Sequence, residues 1–191
     1  GGRRTAPGAP DPAAQAAALC RAMAAVPGVF WLLTGSNADA GGQQCTAALR
    51  AFAAAHPGRA GFVQSLGLRR YLSAMQYAAV VAGNSSSGVV ETPTFGVPAV
   101  NIGSRQAGRI LCDNVIGCPG EAGAIETALR TALTPAFAAR ARAVRSPYYG
   151  GDTSGRILAV LRAALAAPWL RAPKTFYDGP VPAFDPAPAG R

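Results

Sequence analysis

Carboxylates and histidine are scarce in this chain. Its 191 residues hold nine Asp and Glu and a single His, so general acid–base chemistry has few groups to draw on. The four cysteines, Cys20, Cys45, Cys112 and Cys118, lie far apart and lack the C-x-x-C spacing of a structural zinc site. They read as buried, reduced thiols, and neither a metal nor a cofactor is expected. No run of about 18 apolar residues is present, which excludes a membrane-spanning helix. No secretory signal pattern opens the chain, so the expected compartment is the cytoplasm. Lysine is nearly absent as well. The net charge of +9 comes almost wholly from single, scattered arginines, and its densest group is Arg140, Arg142 and Arg145. Without lysine runs, stacking aromatics or a known motif, that charge reads as solvated helix faces and not as a nucleic-acid surface.

Apolar residues make up 50% of the chain, enough for one domain with a hydrophobic core, although alanine inflates the figure. Strand-length apolar runs alternate with helical patterns, which predicts an α/β fold: a Rossmann-like parallel sheet with helices on both faces. Asp11-Pro12 starts a helix of about 12–26, with an acid at the cap and Pro at the first turn. Strands are expected at Val29–Thr34, Ala60–Ser65, Ala78–Ala82 and Pro98–Ile102. Helices are expected at about 43–55, 69–76, 121–133, 135–144 and 153–166, with a short one between Ser87 and Gly96 that Pro93 shortens or bends. Residues 1–10 form an N-terminal stub, 11–167 the folded domain, and 168–191 a proline-rich tail, either disordered or extended across a surface. The chain begins Gly1-Gly2-Arg3-Arg4, without methionine, and reads as a piece of a longer protein or one whose start was lost.

Ligands of open α/β sheets bind at the carboxyl ends of the strands. Three strand-end loops are chemically rich: Gly35–Gly42, Ser65–Arg70 and Gly83–Gly88. In the last, serine hydroxyls and backbone N–H groups at a helix start favour an anion. Glu91 follows one turn later, and Arg105 and Arg109 come after the next strand. An acceptor for ribose hydroxyls and cations for phosphates suit a nucleotide diphosphate. Competing motifs fail on single residues. Ser87 stands where a nucleophile elbow needs Gly, and Val89-Val90 replace the Lys-Ser of a P-loop. The sole histidine, His56, sits at a predicted helix end, which leaves a serine triad without its base.

The segments SNADAGG (36–42), SLGLRRYLSAM (65–75), GNSSSGVVETPTFGVPAVNIGSRQAGR (83–109), YGGDTSGRIL (149–158) and KTFYD (174–178) carry a resemblance. Over residues 11–178 the chain resembles the C-terminal half of UDP-N-acetylglucosamine 2-epimerases. GNSSSG followed by R-Q-x-G-R resembles the hydrolysing type, which makes N-acetylmannosamine for sialic-acid-like sugars. The resemblance implies a GT-B-like fold of two domains, with this half holding a UDP-sugar. It implies Ser85 and Ser86 on the diphosphate, Glu91 on the ribose and Tyr71 against uracil. Arg105 is implied beside the leaving UDP as the catalytic residue of this half, with Asn37 and Asp39 facing the cleft. Gln106 and Arg109 belong to the same element without a separate role.

The implied reaction eliminates UDP to leave a glucal-like intermediate and then adds water with inversion at C2. The catalytic carboxylates of the family lie in the N-terminal domain, a partner that this chain lacks. A family histidine ahead of the first helix is also missing from GGRRTAPGAP (1–10). The chain is therefore expected to bind UDP without turning over substrate alone, and the intact enzyme to be a homo-oligomer. Two alternatives stay open: half of a GT-B glycosyltransferase, or a basic α/β module that binds nucleic acid.

Overall fold

The computed structural model describes residues 11–36 and 41–167. Asn37, Asp39, the N-terminal stub and the proline-rich tail, with its KTFYD segment, lie outside the described residues. Helix α1 (Pro12–Ala25) starts where Asp11 caps it, the carboxylate accepting from Ala13 N at 3.1 Å. It is followed by β1 (Trp31–Thr34), α2 (Gly42–Ala55), β2 (Ala60–Val63), α3 (Gly67–Gln76) and β3 (Val81–Gly83). Then come α4 (Ser87–Val90), α5 (Thr92–Phe95), β4 (Ala99–Ile102), β5 (Val115–Cys118), α6 (Ala122–Ala132) and α7 (Pro135–Arg142).

All strand pairs are parallel; helices cross over between β1 and β2 and between β3 and β4, whereas β4 and β5 are joined by the irregular segment 103–114. The strands form two sheets, β1–β2 and β3–β4–β5. β4 is buried along its whole length, with Val81 opposite Ala99 on one side and Ile116 opposite Val100 on the other. Alternate residues of β4 face opposite ways. Val100 and Ile102 join a core made with Trp31 and Leu33 of β1, Ala22 and Met23 of α1, and Ile125 and Leu129 of α6. Ile125 and Leu129 are fully buried, each worth about 1.5–3 kcal/mol of transfer free energy. Ala99 and Asn101 point to the other face, which α4 covers.

β5 is the strand that sequence patterning did not anticipate. Its four residues include Gly117 and form no alternating run, and they are a strand because β4 offers them a hydrogen-bonding edge. A second compact unit begins at Gly150 and carries α8 (Thr153–Ala166), capped by Asp152 Oδ1 accepting from Gly155 N at 2.9 Å.

Behind α4, the fully buried Asn114 donates from Nδ2 to Thr92 Oγ1 at 2.9 Å and to Val97 O at 2.8 Å. Thr92 Oγ1 in turn donates to Gly88 O at 2.8 Å, so α4, α5 and the chain entering β5 are stapled together. Gly96 closes α5 with φ 64°, and a Cβ there would come 3.0 Å from the Cα of Arg142 on α7. Gly96→Ala therefore meets both left-handed strain and backbone that cannot yield. We expect it to lower unfolding free energy by at least about 1–2 kcal/mol, read as a shifted midpoint in urea denaturation.

Candidate functional site

Because β3 and β4 are parallel neighbours, the loops that leave them emerge at the same sheet edge. The first is Asn84-Ser85-Ser86, which turns into α4 through Val89 N and Val90 N donating to Ser86 O, each at 2.9 Å. Ser86 is the cap residue of α4, yet its side chain makes no capping bond. Ser85 Oγ accepts from Ser87 N only at 3.4 Å. Helix capping thus uses little of the hydroxyl chemistry here, and both Ser85 and Ser86 are exposed.

Glu91 sits at the break between α4 and α5. Pro93 occupies the first turn of α5, where its missing N–H costs nothing, and the result is two one-turn helices in place of one. Glu91 N donates to Ser87 O at 3.1 Å, keeping the acid one turn from the serines. Its Oε2 is buried and has no hydrogen-bond partner. Such an acceptor has lost its water without repayment, a cost of about 1–3 kcal/mol.

The second loop runs from Ser104 to Arg109, with Arg105 and Arg109 exposed. Gln106, between them, is only 5% exposed, and its Nε2 donates to Asn84 O at 2.8 Å. The arginine loop is thus tied to the residue before Ser85. Sequence reasoning missed this tie, and the R-Q-x-G-R spacing was its only trace. Tyr71 is half-buried on α3, a helix that packs against α5. At the start of α3, Leu66, Leu68, Arg69, Arg70 and Ser73 line an open hollow of ≈ 540 Å³, whose lining does not include Tyr71.

The remaining candidate groups lie elsewhere. His56 follows the C-terminus of α2, hence the opposite strand ends, where it stacks on Phe52 with ring centroids 4.1 Å apart. Its Nδ1 is 2.9 Å from Phe52 O, as the donor. Arg140 of the basic group pairs with Asp113 at 3.0 Å, an exposed pair worth at most about 1 kcal/mol. Among the described residues no three His, Cys, Asp or Glu side chains gather as a metal site. Burial raises the pKa of all four thiols. Asp113 adds to the effect at Cys112 and Asp11 at Cys45, whereas Arg21 opposes it at Cys20.

Comparison with known proteins gives these residues a context. The family model of UDP-N-acetylglucosamine 2-epimerase matches residues 3–162. The GDP/UDP-N,N'-diacetylbacillosamine 2-epimerase (hydrolyzing) of Campylobacter jejuni is 39% identical over 85 residues, 44% of this chain and 22% of that protein. The polysialic acid biosynthesis protein P7 of Escherichia coli is 31% identical over 119 residues, 62% of this chain and 30% of that protein. The UDP-N,N'-diacetylbacillosamine 2-epimerase (hydrolyzing) of Legionella pneumophila is 38% identical over 93 residues, 48% of this chain and 23% of that protein. The matches therefore span less than a third of each relative's length.

The thiols yield a prediction with a definite sign. Their folded-state pKa values are raised, so the folded chain keeps protons that the unfolded chain releases. Their contribution to stability is complete below the ordinary thiol pKa and is lost as pH rises through the folded values. Urea midpoints should fall between pH 8 and pH 10, and a chain with all four cysteines changed to serine should show a smaller fall. At neutral pH a thiol reagent should modify the native protein slowly and the denatured chain fast.

Proposed function

The chain belongs to the UDP-N-acetylglucosamine 2-epimerase family, and from that premise we propose that it is the nucleotide-binding half of a hydrolysing enzyme. The observation that carries this reading is the buried, unpartnered Oε2 of Glu91, one turn from serine hydroxyls that helix capping leaves largely unspent. In this reading a ribose hydroxyl donates to Glu91, and Ser85 and Ser86 donate to the diphosphate. Tyr71 lies against the uracil. Arg105, on the loop leaving β4, offsets charge that builds on UDP as the C1–O bond to the sugar breaks.

The proton removed from C2 and the water added there need acids and bases beyond this inventory. Glu91 is engaged by ribose in this reading, and Asp39 is the one other acid that the family resemblance assigns to the cleft, so those groups belong to a further domain that closes over the sugar. The compartment is proposed as cytoplasmic, where UDP-sugars are consumed, and the intact enzyme as a homo-oligomer. The sugar class is a 2-acetamido sugar on UDP. Relatives named for N,N'-diacetylbacillosamine and, in Neisseria meningitidis, for UDP-N-acetylglucosamine support that breadth.

Two experiments test the reading. Calorimetric titration of residues 1–191 with UDP should give heat, and Glu91→Ala should weaken binding about tenfold, the loss of one charge-assisted hydrogen bond. Absence of UDP heat, with salt-steep binding of a single-stranded oligonucleotide instead, would favour the nucleic-acid module and end the proposal. Residues 1–191 alone should not hydrolyse UDP-N-acetylglucosamine. Turnover abolished by Arg105→Ala would place the whole chemistry within this chain and contradict the division drawn here.

A further inference from the structure

Gln106 is the one residue of its loop that the protein buries. Ser104, Arg105, Ala107, Gly108 and Arg109 are all exposed, while Gln106 is 5% exposed. Two local turns shape the loop, Ala107 N donating to Ser104 O at 2.9 Å and Arg109 N to Gln106 O at 3.2 Å. Gln106 Nε2 donates to Asn84 O at 2.8 Å and so ties the loop to the serine turn. Asn84 is held in turn, its Nδ2 donating to Gln15 Oε1 of α1 at 3.2 Å. The Gln15 amide is itself wedged between strand ends. A Cβ at Gly103, after β4, would come 2.7 Å from Gln15 Nε2, and one at Gly120, after β5, would come 3.1 Å from it. Three amide side chains thus link α1, the serine turn and the arginine loop in series.

We infer that Gln106 is a positioning residue that sets the spacing between Arg105 and the Ser85–Ser86 hydroxyls, and so matches the site to a diphosphate. This rests on the reading above that the two loops grip UDP. The argument is one of adjacency and burial. Asn84 directly precedes Ser85, and Gln106 directly follows Arg105, so the bond from the buried Gln106 to the half-buried Asn84 ties the two loops at the residues that flank the proposed ligand groups. A primary amide is needed because Asn84 O is an acceptor. A methionine would fill the space and donate nothing, and a carboxylate would set acceptor against acceptor.

The test uses two variants, UDP and uridine as probes, and hydrogen exchange without ligand. Gln106→Met should weaken UDP about tenfold and leave uridine unchanged, because only the phosphate contacts depend on the offset. In an Arg105→Ala background the same change should cost much less, since the two act through one interaction. Gln106→Glu should bind UDP poorly at pH 8 and recover relative to the parent as pH falls and the acid becomes a donor. It should be examined even if Gln106→Met fails to fold. In either variant, at pH 8, amides of residues 84–88 and 104–109 should exchange faster. If UDP affinity and exchange are both unchanged, Gln106 does not position the loop, and the functional reading survives. Equal losses for UDP and uridine would make its role general stability and overturn the inference. If the parent binds no UDP, the functional reading fails and takes the diphosphate match with it, while exchange still decides whether the clamp exists.

Discussion

Two one-turn helices, α4 and α5, carry the serine turn and Glu91, and neither is long enough to persist by its own hydrogen bonds. What holds them is Asn114, fully buried behind them, which donates to both Thr92 and Val97. Thr92 passes the restraint on to Gly88, and Val89, also fully buried, packs beneath. This staple holds the turns that bear Ser86 and Glu91, while the arginine loop is tied to the serine turn separately, through Gln106 and Asn84. Glu91 keeps a buried acceptor without a hydrogen-bond partner, and the exposed serines keep hydroxyls that capping leaves largely unspent.

A parallel sheet turns that local restraint into a functional edge. Loops that follow β3 and β4 must emerge on the same side, so a hydroxyl-rich turn and an arginine loop separated by 20 residues of chain become neighbours. Groups on the reverse edge have other tasks. His56 stacks on Phe52, and Arg140 pairs with Asp113. Such separation explains how a chain with +9 charge directs few of its cations toward the proposed ligand. It also suits the half-site proposed above, in which this edge holds the nucleotide and another domain supplies the proton-transfer groups.

Most of the architecture was legible in the sequence because it is written in short-range signals. Asp11-Pro12 marked the start of α1, the strands β1, β2 and β4 fall inside the apolar runs read for them, and β3 begins later than its run and ends one residue beyond it. Pro93 announced a short or bent helix and delivered a break at Glu91. β5 was not legible, since four residues with a glycine form no pattern until β4 pairs with them. One continuous sheet was expected, and the hydrogen bonds divide it into sets of two and three strands. The serines read correctly as a turn into a helix, but how little capping they perform had to be seen in the bonds that Ser85 and Ser86 do not make.

Residue order alone determined the α/β class, the helix starts and the grouping of serines, acid and arginines between Gly83 and Arg109, because caps, periodicity and spacing act within a few residues. Tertiary structure alone decided that Gln106 turns inward while its neighbours face water, and that Asn114 spends both donor hydrogens on α5 and the chain just beyond it. An amide side chain carries no local preference between burial and exposure. Its fate depends on an unpaired carbonyl brought close by a distant part of the chain, and only the folded protein brings that carbonyl within reach.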